Sequence, residues 1–112
     1  TKAAGVILLS GDRHLAEIAK LDKHHAHYIG YPLFDITSSS LNAPSGNFTK
    51  NQVRFANQIN SYRIGLTYFD TNFGIVEIDW DQEDPTIRLQ VREELGEVVL
   101  QQRLRLSELQ FK

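Results

Sequence analysis

The feature that most restricts the fold of this chain is the regular patterning of everything after Asn72. Phe73 to Trp80 (FGIVEIDW), Thr86 to Glu94 (TIRLQVREE) and Glu97 to Leu109 (EVVLQQRLRLSEL) are strand-length segments separated by DQEDP and by Leu95-Gly96. In the middle segment Ile87, Leu89 and Val91 alternate with Arg88, Gln90 and Arg92, the period of a strand with one face in a core and the other in water. Three such segments with short connections predict an antiparallel meander over residues 73–109.

The earlier part of the chain is less regular. Gly5 to Leu9 is an unbroken apolar run, which predicts a strand covered on both faces. Its partners must come from later in the chain or from outside it, and on this reading the chain is a piece of a larger domain. Leu15 to Leu21 (LAEIAKL) predicts a short helix or turn. His24 to Pro32 reads as a loop leading into a strand at Leu33 to Thr37. Ser38 to Gln52 is polar and rich in Pro and Gly, a long surface loop of the kind that often carries function. Asn57 to Asp70 predicts a short strand or an irregular crossing. The expectation is one unit over residues 1–112: a motif strand and loop in 1–42, a loop-rich middle in 43–72, and the meander in 73–109.

Composition removes several function classes. A chain of 112 residues is a single-domain length, and 41% hydrophobic with 23% charged residues is the balance of a folded globular protein. The formal net charge is −2 and no basic run occurs, so stable nucleic-acid binding is not expected. The absence of cysteine excludes disulfides, thiolate metal sites and Cys nucleophiles. No apolar run is long enough to cross a bilayer as a helix, so no membrane partner is expected.

The chemistry candidates centre on Ser10-Gly11-Asp12-Arg13-His14. A carboxylate and an imidazole two residues apart on a tight turn after a rigid strand suit Zn, Mn or Fe, and Gly11 would let the backbone turn sharply. The plain alternative is a strand-to-helix connection that Asp12 caps. The HHAH tract (His24, His25, His27) has metal-binding composition, although clustered loop histidines are usually solvated. DWDQED, from Asp79 to Asp84, lacks the glycine and the closing glutamate of a calcium loop and reads as a charged hairpin turn. Ser38 to Ser40 lack the setting of a nucleophile elbow. Glu17, three residues after His14, reads as facing either that site or, more readily, a helix surface, and Tyr68, Phe73 and Trp80 read as core or sheet-covering aromatics rather than a substrate platform.

VILLSGDRHLAEI, then YPLFDITSSSLN, then NFGIVEIDW with alternating strands to the end, resembles the C-terminal part of the alkaline phosphatase D-like (PhoD-like) metallophosphoesterases of the calcineurin-like superfamily. The resemblance runs in order over nearly the whole chain. In that family a strand ending in Ser/Thr-Gly-Asp-x-His is the last metal-binding segment, and a strand with a Ser-rich ending and a closing meander follow it. Ser10, Gly11, Asp12 and His14 match the first motif; Ser38 and Ser39 match the second. The resemblance implies that His14 is a metal ligand and that Asp12 is a second ligand or orients one. Arg13, between them, is the candidate phosphate contact. It also implies a two-metal centre, of Fe, Zn, Mn or Ca, that hydrolyses phosphate esters.

The superfamily further requires upstream Asp-x-His, Gly-Asp-x-x-Asp and Gly-Asn-His segments; the last two do not occur in this chain, and Asp-x-His occurs only as Asp12-Arg13-His14, within the last motif, and as Asp22-Lys23-His24 after it. One or two ligands do not hold a catalytic metal pair. The expectation is therefore a β-rich α/β chain, the C-terminal part of an αββα metallophosphoesterase sandwich, inactive without the N-terminal part of the domain. Family members are often exported, which would place the parent in the periplasm or outside the cell. The alternative expectation is a non-catalytic β-rich binding or self-association module, because an open strand edge at Gly5 to Leu9 would invite a second copy.

Overall fold

The computed structural model describes residues 3–11, 15–39, 41 and 62–111. They form seven strands and one short helical turn: β1 (Ile7–Ser10), β2 (Ala16–Leu21), β3 (Leu33–Ser38), β4 (Arg63–Tyr68), β5 (Asn72–Asp79), β6 (Thr86–Glu93), β7 (Val98–Arg105) and a 3₁₀ turn at Leu106–Leu109. The chain is β-rich and its strands make two sheets, one ordered β1-β3-β2-β4 and the other β5-β6-β7.

The meander is as the alternation requires. β6 pairs antiparallel with both neighbours, Leu89 lying opposite Val76 on β5 and Gln102 on β7. Ile87, Leu89 and Val91 point inward and are buried, while Arg88 on the other face is exposed. Gln90 departs from the expected pattern, being only 4% exposed although it faces outward with Arg88 and Arg92. Its amide donates to Gln101 Oε1 at 2.6 Å, and its oxygen accepts from Arg92 Nε and Nη2 at 3.0 and 2.7 Å. Long neighbouring side chains thus cover a polar group whose hydrogen bonds are complete.

The hairpin between β5 and β6 is the charged turn expected of DWDQED. Asp79 accepts from the Asp81 amide and from Gln82 Nε2. Asp84 reaches the start of the 3₁₀ turn, accepting from the Ser107 amide at 3.0 Å and its hydroxyl at 2.6 Å. Those two bonds hold the Asp84 carboxyl below its ordinary value. A carboxyl that binds its proton less readily when folded adds stability above its unfolded-state pKa. That contribution fades as pH falls through the lower folded value. Ser107→Ala removes the hydroxyl bond, so an NMR titration of the Asp84 carboxyl should show its pKa rising toward the ordinary carboxylate value. An unchanged titration would contradict this assignment.

One core lies between the sheets. Ala16 and Ile18 of β2, Phe34 and Ile36 of β3, Ile87, Leu89 and Val91 of β6, and Leu104 of β7 meet there, with Tyr31 and Leu109 closing one end. Each large apolar side chain removed from water in this way contributes about 1.5–3 kcal/mol. Tyr31 is fully buried but keeps its hydroxyl paired, donating to the Ala3 carbonyl at 2.7 Å. The sheets come close where β3 passes β5. A Cβ on Gly74 would lie 3.2 Å from Ser38 Cβ, so a larger residue at position 74 would push the strands apart.

Four expectations are corrected. Leu15 to Leu21 is not a helix or turn: β2 is a central strand, antiparallel to β3 on one side and β4 on the other. Its Ala, Glu and Lys favour a helix in isolation, but pairing on both sides and burial of Ala16 and Ile18 outweigh that propensity. The Gly5 to Leu9 run is not covered on both faces. Among the described residues β1 is an outermost strand, parallel to β3 alone, and Leu8 and Leu9 are 43% and 72% exposed. Glu17 is not a surface residue, being 3% exposed. Trp80 covers no sheet, since it sits in the hairpin turn at 66% exposure, whereas Tyr68 packs against the core.

Candidate functional site at the strand ends

The parallel pairing of β1 and β3 puts their C-terminal ends side by side, with Ser10 opposite Thr37. β2 starts at the same end, its Ala16 opposite Ser38. The connection that carries the Asp12-Arg13-His14 motif therefore leaves β1 at Gly11 and returns at Leu15, next to the serine-rich end of β3. A Cβ on Gly11 would lie 4.0 Å from the Ser38 carbonyl. Asp12, Arg13 and His14 themselves lie outside the described residues, as do Ser40 and most of the polar loop after it.

What the described residues hold at this end is a small polar cluster. Ser38 Oγ donates to Asn72 Oδ1 at 2.6 Å, and Asn72 Nδ2 donates to the Asp70 carbonyl at 2.7 Å. Asn72 is 1% exposed, so this chain of bonds ties β3 of one sheet to the start of β5 in the other. On the outer face of the four-stranded sheet, Ser10 Oγ donates to Asp35 Oδ1 at 2.7 Å. Ser10 and Asp35 border a cleft of about 300 Å³, with Leu8, Glu17, Thr37 and Tyr62 also on its wall. A second cleft, of about 370 Å³, opens between the sheets beside β1 and is lined by Leu9, Ile36, Ser38, Gly74 and Val76.

Glu17 enters the outer cleft as half of an ion pair. Arg63 Nε donates to Glu17 Oε2 at 2.7 Å, with the two side chains 16% and 4% exposed. Burial of this kind requires a partner, because an ionised carboxylate taken out of water alone is very costly. Neither Asp35 nor Asn72 stood out in the sequence. The available signal was the polar residue inside a strand-like run: Asp35 interrupts LFDITSS, and Asn72 opens NFGIVEID.

The histidine tract forms a compact turn. The amide of His24 donates to Asp22 Oδ1 at 2.9 Å, and the Asp22 amide donates to His25 Nδ1 at 3.1 Å. The first of these bonds, with the nearby histidines and Lys20, lowers the Asp22 pKa. His25 packs against Tyr62 with ring centroids 4.6 Å apart and the ring planes tilted by 41°. Among the described residues, no group of three or more His, Cys, Asp or Glu side chains is arranged to hold a metal ion, and no helix is long and apolar enough to cross a membrane. No family model matches this chain, and neither a curated protein nor a solved structure matches it.

Proposed function

We propose that this chain is the C-terminal part of a metal-dependent phosphoesterase of the alkaline phosphatase and phosphodiesterase type, the β-rich share of an αββα sandwich. The observation that carries the proposal is the β1–β3 pair. Two parallel strands end together, one leading into Asp12-Arg13-His14 and the other ending in Ser38 and Ser39, the two segments on which the resemblance rests. Ligand sites in sheets with parallel strands sit outside the carboxyl ends of the strands. The outer face of the four-stranded sheet supports the sandwich reading, because it presents Ala19, Leu21 and Leu33 beside the cleft, as a sheet face under a helix would.

In this reading His14 is a metal ligand, Asp12 a second ligand or the group that orients one, and Arg13 a contact for the substrate phosphate. The described residues do not supply a metal donor set; the remaining ligands belong to a part of the domain outside this chain, which alone is inactive. When bound, two ions of Fe, Zn, Mn or Ca would supply the nucleophile and offset phosphate charge. The test is hydrolysis of bis(p-nitrophenyl) phosphate by this chain and by the complete product of its gene, under added Mn, Zn or Ca. Turnover is expected only from the longer protein, lost with chelator and restored by metal. Turnover that survives exhaustive chelation would rule the proposal out.

A second reading, a non-catalytic β-rich module, draws support from the exposed Leu8 and Leu9 of β1.

A further inference from the structure

We infer that Asn72 is a positioning residue, which acts through Ser38 to hold both ends of the connection that carries Asp12, Arg13 and His14. Its effect on turnover rests on the phosphoesterase reading, and its effect on the connection does not.

Ser38 is where the two ends of that connection meet. In the parallel pair Ser10 lies opposite Thr37, so Gly11 leaves β1 beside Ser38, and a Cβ on Gly11 would lie 4.0 Å from the Ser38 carbonyl. On the other side of β3, Ala16 opens β2 and pairs with Ser38 directly. A shift of Ser38 is therefore felt at the start and at the end of the connection together.

The side chain of Ser38 follows Phe34 and Ile36 to the inner face, where the meander holds it. The Asp70 carbonyl can only accept, so the Asn72 atom 2.7 Å from it is Nδ2, and the atom 2.6 Å from Ser38 Oγ is Oδ1. Oδ1 can only accept in turn, so the Ser38 hydroxyl gives its one proton to Asn72. A hydroxyl committed in this way has no second proton for a phosphate oxygen, and Ser38 shapes the strand end instead of binding substrate. Asparagine is the residue this arrangement requires. A carboxylate at position 72 would still accept from Ser38, but it would leave the Asp70 carbonyl without its donor and bury a charge at a position 1% exposed. Gly74 limits Ser38 from the same strand, since a Cβ there would lie 3.2 Å from Ser38 Cβ.

The test is hydrogen exchange read by mass spectrometry on the complete gene product, with Asn72→Ala, Ser38→Ala and the double variant. Peptides over residues 10–16 report the connection, and peptides over residues 86–93 report the core strand β6. Each single variant should speed exchange several-fold more in 10–16 than in 86–93. The double variant should match Asn72→Ala, because the two substitutions remove the same bond. Turnover of bis(p-nitrophenyl) phosphate should fall by about 10-fold in kcat with KM little changed, as for a residue that orients metal ligands without touching substrate. Ser38→Ala removes one hydroxyl from a half-buried residue and carries the test if Asn72→Ala does not fold. Equal acceleration in both regions would mark a bond that only stabilises the fold and would overturn the inference. Additive effects of the two substitutions would overturn it too, since Asn72 would then not act through Ser38. If the unmodified protein shows no turnover, the phosphoesterase reading fails, and the exchange result still decides the role of Asn72.

Discussion

Arg63→Ala is expected to lower the unfolding free energy by about 3–5 kcal/mol, the cost of removing one partner of a buried ion pair. Glu17 lies on β2 between two paired strands with its side chain 4% exposed, and Arg63 Nε is 2.7 Å from its carboxylate. Without the guanidinium the carboxylate keeps its desolvation and loses the opposite charge 2.7 Å away. In a domain of this size the melting temperature should fall by roughly 10 °C or more. Exchanging both residues for leucine should restore most of the loss, because an apolar pair of similar volume has no desolvation to offset. A loss below about 1 kcal/mol for Arg63→Ala would mean that the pair behaves as a surface salt bridge and that water reaches Glu17.

That pair also shows why part of the fold was not legible in the sequence. The residues are 46 positions apart, and nothing local to Leu15–Leu21 signals that Glu17 will be covered. Segments that carry their own answer were readable. In β6 each inward residue is apolar and the turns on either side are short and polar, so local pattern and tertiary pairing agree. In β2 they disagree: Ala, Glu and Lys suit a helix, and only pairing with β3 and β4 makes the segment a strand. β1 failed in another way. An unbroken apolar run fits a doubly covered strand, but exposure depends on how many neighbours the strand has, and β1 has one among the described residues.

The candidate site was legible to the same uneven degree. The Ser10-Gly11-Asp12-Arg13-His14 motif and the serine-rich end of β3 were visible as short strings, and the parallel register brings their described ends together. Asp35 and Asn72 were not visible as site neighbours, because a polar residue inside a strand gains meaning only from its partner. Asp35 accepts from Ser10, 25 residues away, and Asn72 from Ser38, 34 residues away.

The phosphoesterase reading makes its sharpest claim at His14, so the first measurement is turnover of bis(p-nitrophenyl) phosphate by the complete gene product, with and without His14→Ala. Leu15 and Ala16 immediately after it are fully buried and anchor the start of β2 without the imidazole, so the circular dichroism spectrum and melting temperature should hold. Loss even of a residue that only orients a metal ligand typically costs 10–100-fold, so removing a ligand should lower turnover by roughly 100-fold or more, with weaker metal retention on dialysis. Unchanged turnover and unchanged metal content in the His14→Ala protein would contradict the account.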